Sequence, residues 1–239
     1  MSGTSVSYTD SEGVAFTGYL ARPAKPNGAG VLIAHNAPGL DDHERDIADR
    51  LAGLGYVALA ADYHGDGAIL GGEALGARME MFTADPAPMR RILGAALARL
   101  VSEPDVMADR VAAIGYCFGG FGALELARGG ARLASTVGFH ALLPSQRDED
   151  AANIKGHVLV CNATMDPYVS IDSRIAFEKV MDAAGIDWRM ILYGGTQHAF
   201  TIENADKIDM PGIAYHPANA QRSWQAMLDL FAETIDRKD

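Results

Sequence analysis

A cysteine flanked by glycines, in Gly115-Tyr-Cys-Phe-Gly119, is the residue of this chain best suited to covalent chemistry. Cys117 follows a β-branched run and precedes a helical pattern, so it occupies a sharp strand-to-helix turn of the kind that exposes a nucleophile. Glycines suit the flanking positions because side chains there would clash in so tight a turn. The partial positive charge at the start of the following helix favours a thiolate. The backbone N–H of Phe118 is expected to point to where an oxyanion would form.

A thiol at this turn needs a base and an orienting group, and two later residues supply them in the expected order. Asp166 follows a predicted strand at 158–161, and His198 follows the last predicted strand. Both therefore fall at the C-terminal ends of strands, where open α/β sheets place their sites. His198 would take the thiol proton, and Asp166 would orient the imidazole and stabilise its charged form. The sequence thus predicts a triad of Cys117, His198 and Asp166.

Each of these residues also has an interpretation without catalysis. A single G-x-C-x-G can be a tight turn around an inert cysteine, and Asp166-Pro167 is a common way to open a turn. His198 can be a surface loop residue. The combination of all three, in order and at strand ends, favours catalysis. The second cysteine, Cys161, lies in a predicted buried strand and is expected to be a small core hydrophobe.

The elements that would position these residues alternate between β-branched runs and helical patterns, which predicts βαβ units around a mostly parallel sheet. Helices are expected after Asp41 or Asp42, at about 88–101, after Cys117, around 177–184 and from Pro217. The glycine- and proline-rich segment 63–91 has no other predicted element. Eight strands are expected, at 5–8, 14–20, 30–34, 56–61, 111–115, 133–139, 158–161 and 188–192.

Three motifs together resemble the dienelactone hydrolase family: Gly115-Tyr-Cys-Phe-Gly-Gly120, the Asp166 loop and Gln197-His-Ala-Phe200. The similarity extends from about Val31 to the C-terminal helix. The resemblance implies an α/β-hydrolase fold, with a mostly parallel sheet of about eight strands flanked by helices and no large cap domain. It also implies acyl transfer through a thioester to water, with a small ester or lactone as the partner and no cofactor.

Two positions depart from that family's pattern. Members that cleave dienelactones carry a glutamate after the third strand that takes part in thiol activation, and this chain has Asn36 there. Asn36 cannot accept a proton, but it can donate a hydrogen bond to an oxyanion, and the N–H of Ala37 is the expected second oxyanion donor. Of the family's substrate-binding arginines, one is replaced by Ile202, and Arg78 is the candidate for the other. The loss of a cation favours neutral substrates over anionic ones.

Further histidines are candidates for the wall of the pocket. His35 and His140 come at predicted strand ends and are expected to contact substrate. No two histidines have the H-x-x-x-H spacing of a metal site, so no metal is expected. The segments 63–91 and 142–153 are expected to shape the pocket.

Composition limits the setting of this chemistry. The chain has 239 residues and is 49% hydrophobic, which is enough for one domain over 1–239. Its formal net charge of −11 argues against nucleic-acid or anionic-membrane partners. The N-terminus lacks the basic and apolar segments of a secretory signal, and two cysteines do not make a disulfide framework. A cytoplasmic location is therefore expected, with no prediction of oligomeric state.

Three functions stay open. The first is hydrolysis of small carboxylic esters or lactones by the triad. The second is thiol acyl transfer or phosphotriester hydrolysis on the same residues. The third is a hydrolase-like binding protein with an inert cysteine, an idea that Asn36 motivates. Rapid alkylation of Cys117 near neutral pH would count against the third, because an inert buried thiol reacts slowly.

Overall fold

The computed structural model describes residues 3–208 and 210–236, and an eight-stranded sheet forms its centre. The sheet order is β1-β2-β4-β3-β5-β6-β7-β8. Strand β2 is antiparallel to both of its neighbours, and all other pairs are parallel. This confirms the expected mostly parallel sheet of about eight strands. The strands are β1 Thr4–Thr9, β2 Ala15–Ala21, β3 Gly30–Ala34, β4 Val57–Ala61, β5 Val111–Tyr116, β6 Ser135–Phe139, β7 His157–Ala163 and β8 Trp188–Tyr193.

Helices cover both faces of this sheet. In the described residues they are α1 Asp42–Gly53, α2 Gly72–Ala84, α3 Ala87–Val101, α4 Phe118–Arg128, α5 Ile171–Ala183 and α6 Pro217–Thr234. Helices α1 and α6 share a core with Val31 and Ile33 of β3, whereas α3, α4 and α5 share one with Leu32. Because successive strand residues point to opposite faces, the central strands must be apolar throughout. No helix within residues 3–208 and 210–236 has the length and apolar character that a bilayer crossing requires.

The start of α1 shows how local sequence sets an element boundary. Asp41 is the N-cap: its side chain accepts a hydrogen bond from the N–H of His43 at 2.8 Å. Glu44 reaches back to the backbone N–H of Asp41, which completes a capping box. After the helix, Gly55 adopts a φ of 103°, a conformation that glycine accommodates without strain. The expected helix after Asp41 or Asp42 is thus confirmed, with Asp41 as its cap.

Helix α2 corrects the expectation that the segment 63–91 has no regular element before residue 88. Gly71 is the N-cap of this helix and Gly72 its first residue, and only Phe82 within it is fully buried. Leu75 and Met79 pack partly against the core at i, i+4 spacing from one another, with Phe82 three residues on. So short an apolar stripe, among many glycines, gives a weak periodic signal.

The C-terminal ends of the parallel strands meet at one edge of the sheet. Ala34 of β3 is in register with Gly115 of β5, and Phe139 of β6 is in register with Cys161 of β7. Ala163 at the end of β7 pairs with Tyr193 at the end of β8. The segments that follow these strands therefore lie side by side, although they are far apart in the chain. Residues 35–37, 117, 140, 166 and 198 all belong to these segments.

Candidate active site

Cys117 lies at the tip of the turn between β5 and α4 in a strained backbone conformation, with φ 53° and ψ −117°. A Cβ atom on Gly115 would come within 2.0 Å of the carbonyl oxygen of Gly119. A Cβ atom on Gly119 would lie 2.2 Å from the carbonyl oxygens of both Ala34 and His35. Only glycine fits at these two positions, in agreement with the tight turn that the sequence predicts.

The three residues of the expected triad form a continuous series of hydrogen bonds. Nε2 of His198 lies 3.1 Å from Sγ of Cys117, and Nδ1 of His198 lies 2.6 Å from Oδ2 of Asp166. Cys117 is partly exposed, whereas His198 and Asp166 are buried. Burial by itself lowers the pKa of His198, but hydrogen bonds to Asp166 and Cys117 outweigh it and raise that pKa to about 10. This environment favours an imidazolium placed between a carboxylate and a sulfur.

Hydrogen bonds that involve backbone groups hold the loops that carry Asp166 and His198 in place. Oδ1 of Asp166 accepts a hydrogen bond from the N–H of Tyr168 at 2.8 Å, which leaves Oδ2 for the imidazole. The N–H of His198 donates to the carbonyl of Gly212 at 2.9 Å. The carbonyl of His198 accepts from the N–H of Ala214 at 3.1 Å. The Tyr168 ring lies edge-on to the imidazole, with centroids 4.9 Å apart.

His140 has a different place from the one expected of it. Its side chain is fully buried, so it cannot contact substrate in this conformation. Burial, followed by the charges of His198 and His43, places the pKa of His140 well below its ordinary value, and the ring is neutral. Its Nδ1 accepts the backbone N–H of Cys117 at 3.1 Å, so Nε2 carries the proton that it donates to Oγ1 of Thr201 at 2.8 Å. His140 thus joins the turn at Cys117 to the loop after His198.

His35 also differs from the expectation of a substrate contact. It is fully buried, and its Nδ1 lies 2.5 Å from the carbonyl oxygen of Asn36. The His35 ring stacks on Tyr63 with centroids 3.5 Å apart. The ring therefore serves the backbone of the loop after β3 and has no surface for a ligand.

The loop after β3 presents polar groups without protein partners. In the described part of the chain, neither the N–H of Ala37 nor that of Phe118 donates to another group, and Oδ1 of Asn36 is buried without a hydrogen-bond partner. Buried polar groups in proteins are normally paired. Unpaired donors and acceptors beside a candidate nucleophile are what a ligand oxygen or amide would satisfy.

A fully buried carboxyl, Glu44, lies beneath this loop, and the sequence analysis did not identify it. Oε1 of Glu44 accepts the N–H of Asn36 at 3.0 Å. Burial raises the pKa of Glu44 to about 8, although the backbone N–H groups of Asn36 and Asp41 partly oppose that rise. The capping-box pattern from Asp41 to Glu44 was readable in the sequence, but the burial depends on packing that the pattern does not encode.

Arg78 is half-buried on α2, and its Nη1 donates to the carbonyl of His64 at 2.9 Å. Its guanidinium also lies 5.8 Å from the centre of the Phe82 ring, within the range of a cation–π contact. The hydrogen bond attaches Arg78 to the segment after β4, whereas Phe82 lies one turn further along α2 itself. Its expected contact with substrate stays a prediction.

A separate cavity of about 900 Å³ lies between α1, α6 and the segment after His198. Tyr116, Phe139, Ile202 and Trp224 are among its lining residues, and none of Cys117, Asp166 and His198 is. The hydrogen-bonded cysteine therefore lies outside this cavity. A nucleophile, a base and an orienting acid within hydrogen-bond distance of one another are a more specific feature of an active site than cavity size.

Comparison with known families gives a match over nearly the whole chain. The model of the dienelactone hydrolase family matches residues 16–235. The chain is also 30% identical over 231 residues to Protein usf of Aquifex pyrophilus, and the alignment covers 95% of this chain and 96% of the relative.

Two solved structures are closely similar. One, described as m3DLH, superimposes with a TM-score of 0.93 at 46% identity and covers 97% of this chain and 98% of its own. The other is a dienelactone hydrolase-like promiscuous phosphotriesterase, P91, from metagenomic libraries. It superimposes with a TM-score of 0.88 at 36% identity and covers 98% of this chain and 99% of its own. These structures share the α/β-hydrolase fold expected from the sequence.

Proposed function

Since the chain belongs to the dienelactone hydrolase family, we propose that it hydrolyses small carboxylic esters or lactones through a thioester formed on Cys117. Membership makes the protein a hydrolase of this type, with a small molecule as its substrate. The observation that carries the proposal is the unbroken line from Sγ of Cys117 through the His198 imidazole to the Asp166 carboxylate.

In the proposed first step, the Cys117 thiolate attacks the ester carbonyl carbon. An S–C bond forms, and the carbonyl oxygen takes the negative charge. The backbone N–H groups of Phe118 and Ala37, which have no acceptor elsewhere in the described residues, would receive that oxyanion. When the C–O bond breaks, His198 passes its proton to the leaving alkoxide, and the acyl group stays on sulfur. Asp166 holds the imidazole in the orientation that this transfer requires.

In the second step, water attacks the thioester. His198 accepts a proton from that water, the C–S bond breaks, and the carboxylic acid leaves with Cys117 again a thiolate beside an imidazolium. A carboxylate partner that stabilises the imidazolium serves both steps, because His198 donates a proton to the leaving alkoxide in the first and accepts a proton from water in the second. The elevated pKa of His198 keeps the imidazolium available at neutral pH as the proton donor to the leaving alkoxide.

For the substrate, we propose a neutral ester or lactone over an anionic one. Ile202 stands where the family carries a substrate-binding arginine, and its uncharged side chain lines the separate cavity. Arg78 is the other candidate from the family's pattern of substrate-binding arginines, and one of its N–H groups is already bonded to the carbonyl of His64. A substrate carboxylate would thus find one arginine of that pattern replaced and the other partly committed.

Phosphotriester hydrolysis is the second candidate. The observation that favours it is the close similarity to a structure described as a promiscuous phosphotriesterase, at 36% identity over nearly the whole chain. The same thiolate would form an S–P bond as the alkoxide or aryloxide leaves with the proton of His198, and the same backbone N–H groups would receive the charge that develops on the phosphoryl oxygen. Water would then attack phosphorus, give a proton to His198 and break the S–P bond, which releases the phosphodiester and the thiolate.

The test compares p-nitrophenyl acetate and paraoxon as substrates for the wild type, Cys117→Ala and the control Cys161→Ala. Burial raises the pKa of Cys161 to about 12, so this thiol is inert at neutral pH. We expect Cys117→Ala to abolish turnover, Cys161→Ala to retain it, and intact-mass spectrometry of the wild type to show an added acetyl group. Equal turnover by wild type and Cys117→Ala, without an adduct, would refute the proposal and favour an inert, ligand-binding site.

A further inference from the structure

Three successive carbonyl groups in the loop after β3 accept hydrogen bonds from buried rings. The Tyr63 hydroxyl donates to the carbonyl oxygens of His35 at 2.8 Å and of Asn36 at 3.1 Å. Nδ1 of His35 donates to the carbonyl of Asn36, and Nε2 of His64 lies 2.7 Å from that of Ala37. The carbonyl of Asn36 therefore has two donors, one on each of two stacked rings.

The protonation states of these rings are defined by their surroundings. Nε2 of His35 accepts the backbone N–H of Tyr63 at 3.3 Å, so Nδ1 must carry the ring proton. Burial and the nearby His64 place the pKa of His35 well below its ordinary value. Burial, together with the charges of Cys117, Glu44 and Asp62, places the pKa of Tyr63 well above its ordinary value. Both rings thus stay neutral donors over the working pH range.

Fixing the carbonyl of Asn36 also fixes the N–H of Ala37, because the two groups belong to one planar peptide unit and point in opposite directions. No cis peptide bond occurs in the described chain. On the other side of Asn36, Glu44 binds its N–H. The loop cannot rotate this peptide without breaking hydrogen bonds to two rings. The carbonyl of His35 also lies close against Gly119, so the loop touches the turn that carries the cysteine.

We propose that Tyr63 and His35 are positioning residues that aim the Ala37 N–H at the oxyanion formed when Cys117 attacks its substrate. The inference rests on the proposed function. Both side chains are fully buried, so they act through the peptide and touch no substrate. They should accelerate reactions that develop a charge on a carbonyl oxygen, and should leave other reactions of the same thiolate unchanged.

Two reactions at Cys117 separate these cases. Acylation by p-nitrophenyl acetate forms an S–C bond, develops an oxyanion and then expels p-nitrophenolate. Alkylation by iodoacetamide forms an S–C bond as iodide leaves, and no oxyanion develops. We expect Tyr63→Phe, which removes only the hydroxyl, to lower kcat for the ester about 10-fold or more with KM little changed, since a lost oxyanion donor costs about 100-fold or more. The alkylation rate should stay within about 2-fold of wild type, since alkylation does not use such a donor.

Tyr56→Phe is the matched control. Tyr56 is also buried, but its hydroxyl donates to Asp236 at 2.6 Å, beyond the opposite end of β4. We expect this variant to leave both rates unchanged. An unchanged acylation rate in Tyr63→Phe would overturn the inference. Equal losses in acylation and alkylation would also overturn it, because that pattern would mean damage to the thiolate or the fold.

A second pair of variants covers the case in which Tyr63→Phe does not fold. His35→Asn keeps an amide donor near the place of Nδ1, whereas His35→Leu keeps volume without a donor. We expect the Leu variant to lose acylation selectively and the Asn variant to recover part of it; equal rates in the two variants would contradict the inference. A wild type that alkylates but forms no acyl adduct would instead contradict the proposed function.

Discussion

The backbone N–H of Cys117 donates to Nδ1 of His140 at 3.1 Å, and the same N–H also lies 3.0 Å from the carbonyl of Phe139. The residue with the strained φ of 53° is therefore held by two acceptors from the end of β6. Through Nε2, the same imidazole binds Thr201, three residues after His198. One neutral ring thus connects the nucleophile's backbone to the loop of its base.

Replacement of this ring should cost both stability and activity. We expect His140→Ala to lower the free energy of unfolding by about 2–4 kcal/mol, because it leaves a cavity and an unpaired Thr201 hydroxyl. Turnover of p-nitrophenyl acetate should fall as well. Urea unfolding and steady-state kinetics measure the two effects. Thr201→Val, which removes only the hydroxyl, should cost about 1 kcal/mol. Full activity in His140→Ala would show that the bridge has no role in the site.

Gly119, two residues after the cysteine, provides a test of the close approach between two loops. We expect Gly119→Ala to give little folded, active protein, because its Cβ would lie 2.2 Å from two carbonyl oxygens that cannot move independently of β3. Gly94→Ala in α3 is the control: its Cβ would meet no atom within 4 Å, and alanine favours a helix by up to about 1 kcal/mol over glycine. Thermal unfolding of both variants checks the contrast. A Gly119→Ala variant as stable as Gly94→Ala would disprove the tight contact.

Glu44 should make stability depend on pH in the direction opposite to that of a salt-bridged acid. Its pKa is about 8 in the folded protein, above the ordinary value of 4.5, so the folded state binds more protons than the unfolded state between these values. The contribution of Glu44 to the free energy of unfolding is therefore fully present below about pH 4.5 and is lost as the pH rises to about 8. We expect Glu44→Gln to flatten the decline of unfolding free energy from pH 5 to pH 8, an effect on the order of a few kcal/mol.

Urea unfolding at several pH values measures this effect. Glu73→Gln is a suitable control because Glu73 is exposed in the first turn of α2. Parallel stability curves for the wild type and Glu44→Gln would mean that the buried carboxyl is already ionised in the folded protein.

The Asp166 carboxylate should determine how readily the cysteine reacts at neutral pH. We expect Asp166→Asn to lower the pKa of His198, since the hydrogen bond to Asp166 is the largest of the effects that raise it. The imidazolium beside Cys117 would then lose its proton at a lower pH than it does in the wild type. The iodoacetamide rate, nearly flat across pH 6–9 in the wild type by this argument, should rise with pH in the variant, and ester turnover should fall by about 100-fold or more. Identical alkylation profiles would exclude this role for Asp166.

The order of Cys117, Asp166 and His198 along the chain could be predicted because each follows a recognisable strand, and parallel strands bring their C-terminal ends to one edge. The turn itself was readable from its glycines. The five strands β3 to β7 were predictable because central strands covered on both faces are continuous apolar runs.

The roles of His35, His140 and Glu44 could not be predicted in the same way. Each depends on burial and on which ring nitrogen or oxygen faces a backbone group, and these follow from contacts between elements distant in sequence. A histidine next to a strand end suggests a pocket wall on sequence alone, yet both rings instead bind backbone groups. Helix α2 was missed because its apolar stripe is short and partly exposed.

The contact of Gly119 with the carbonyls of Ala34 and His35 joins two loops through backbone atoms alone. No side chain at this junction can be exchanged for a larger or smaller one, so the distance between the two loops cannot be tuned by substitution at the contact itself. Selection for new substrates, natural or in the laboratory, would have to act elsewhere. The half-buried Arg78 on α2 and the half-buried Leu142 and Leu143 after β6 are examples of positions where a change of side chain is easier to accommodate.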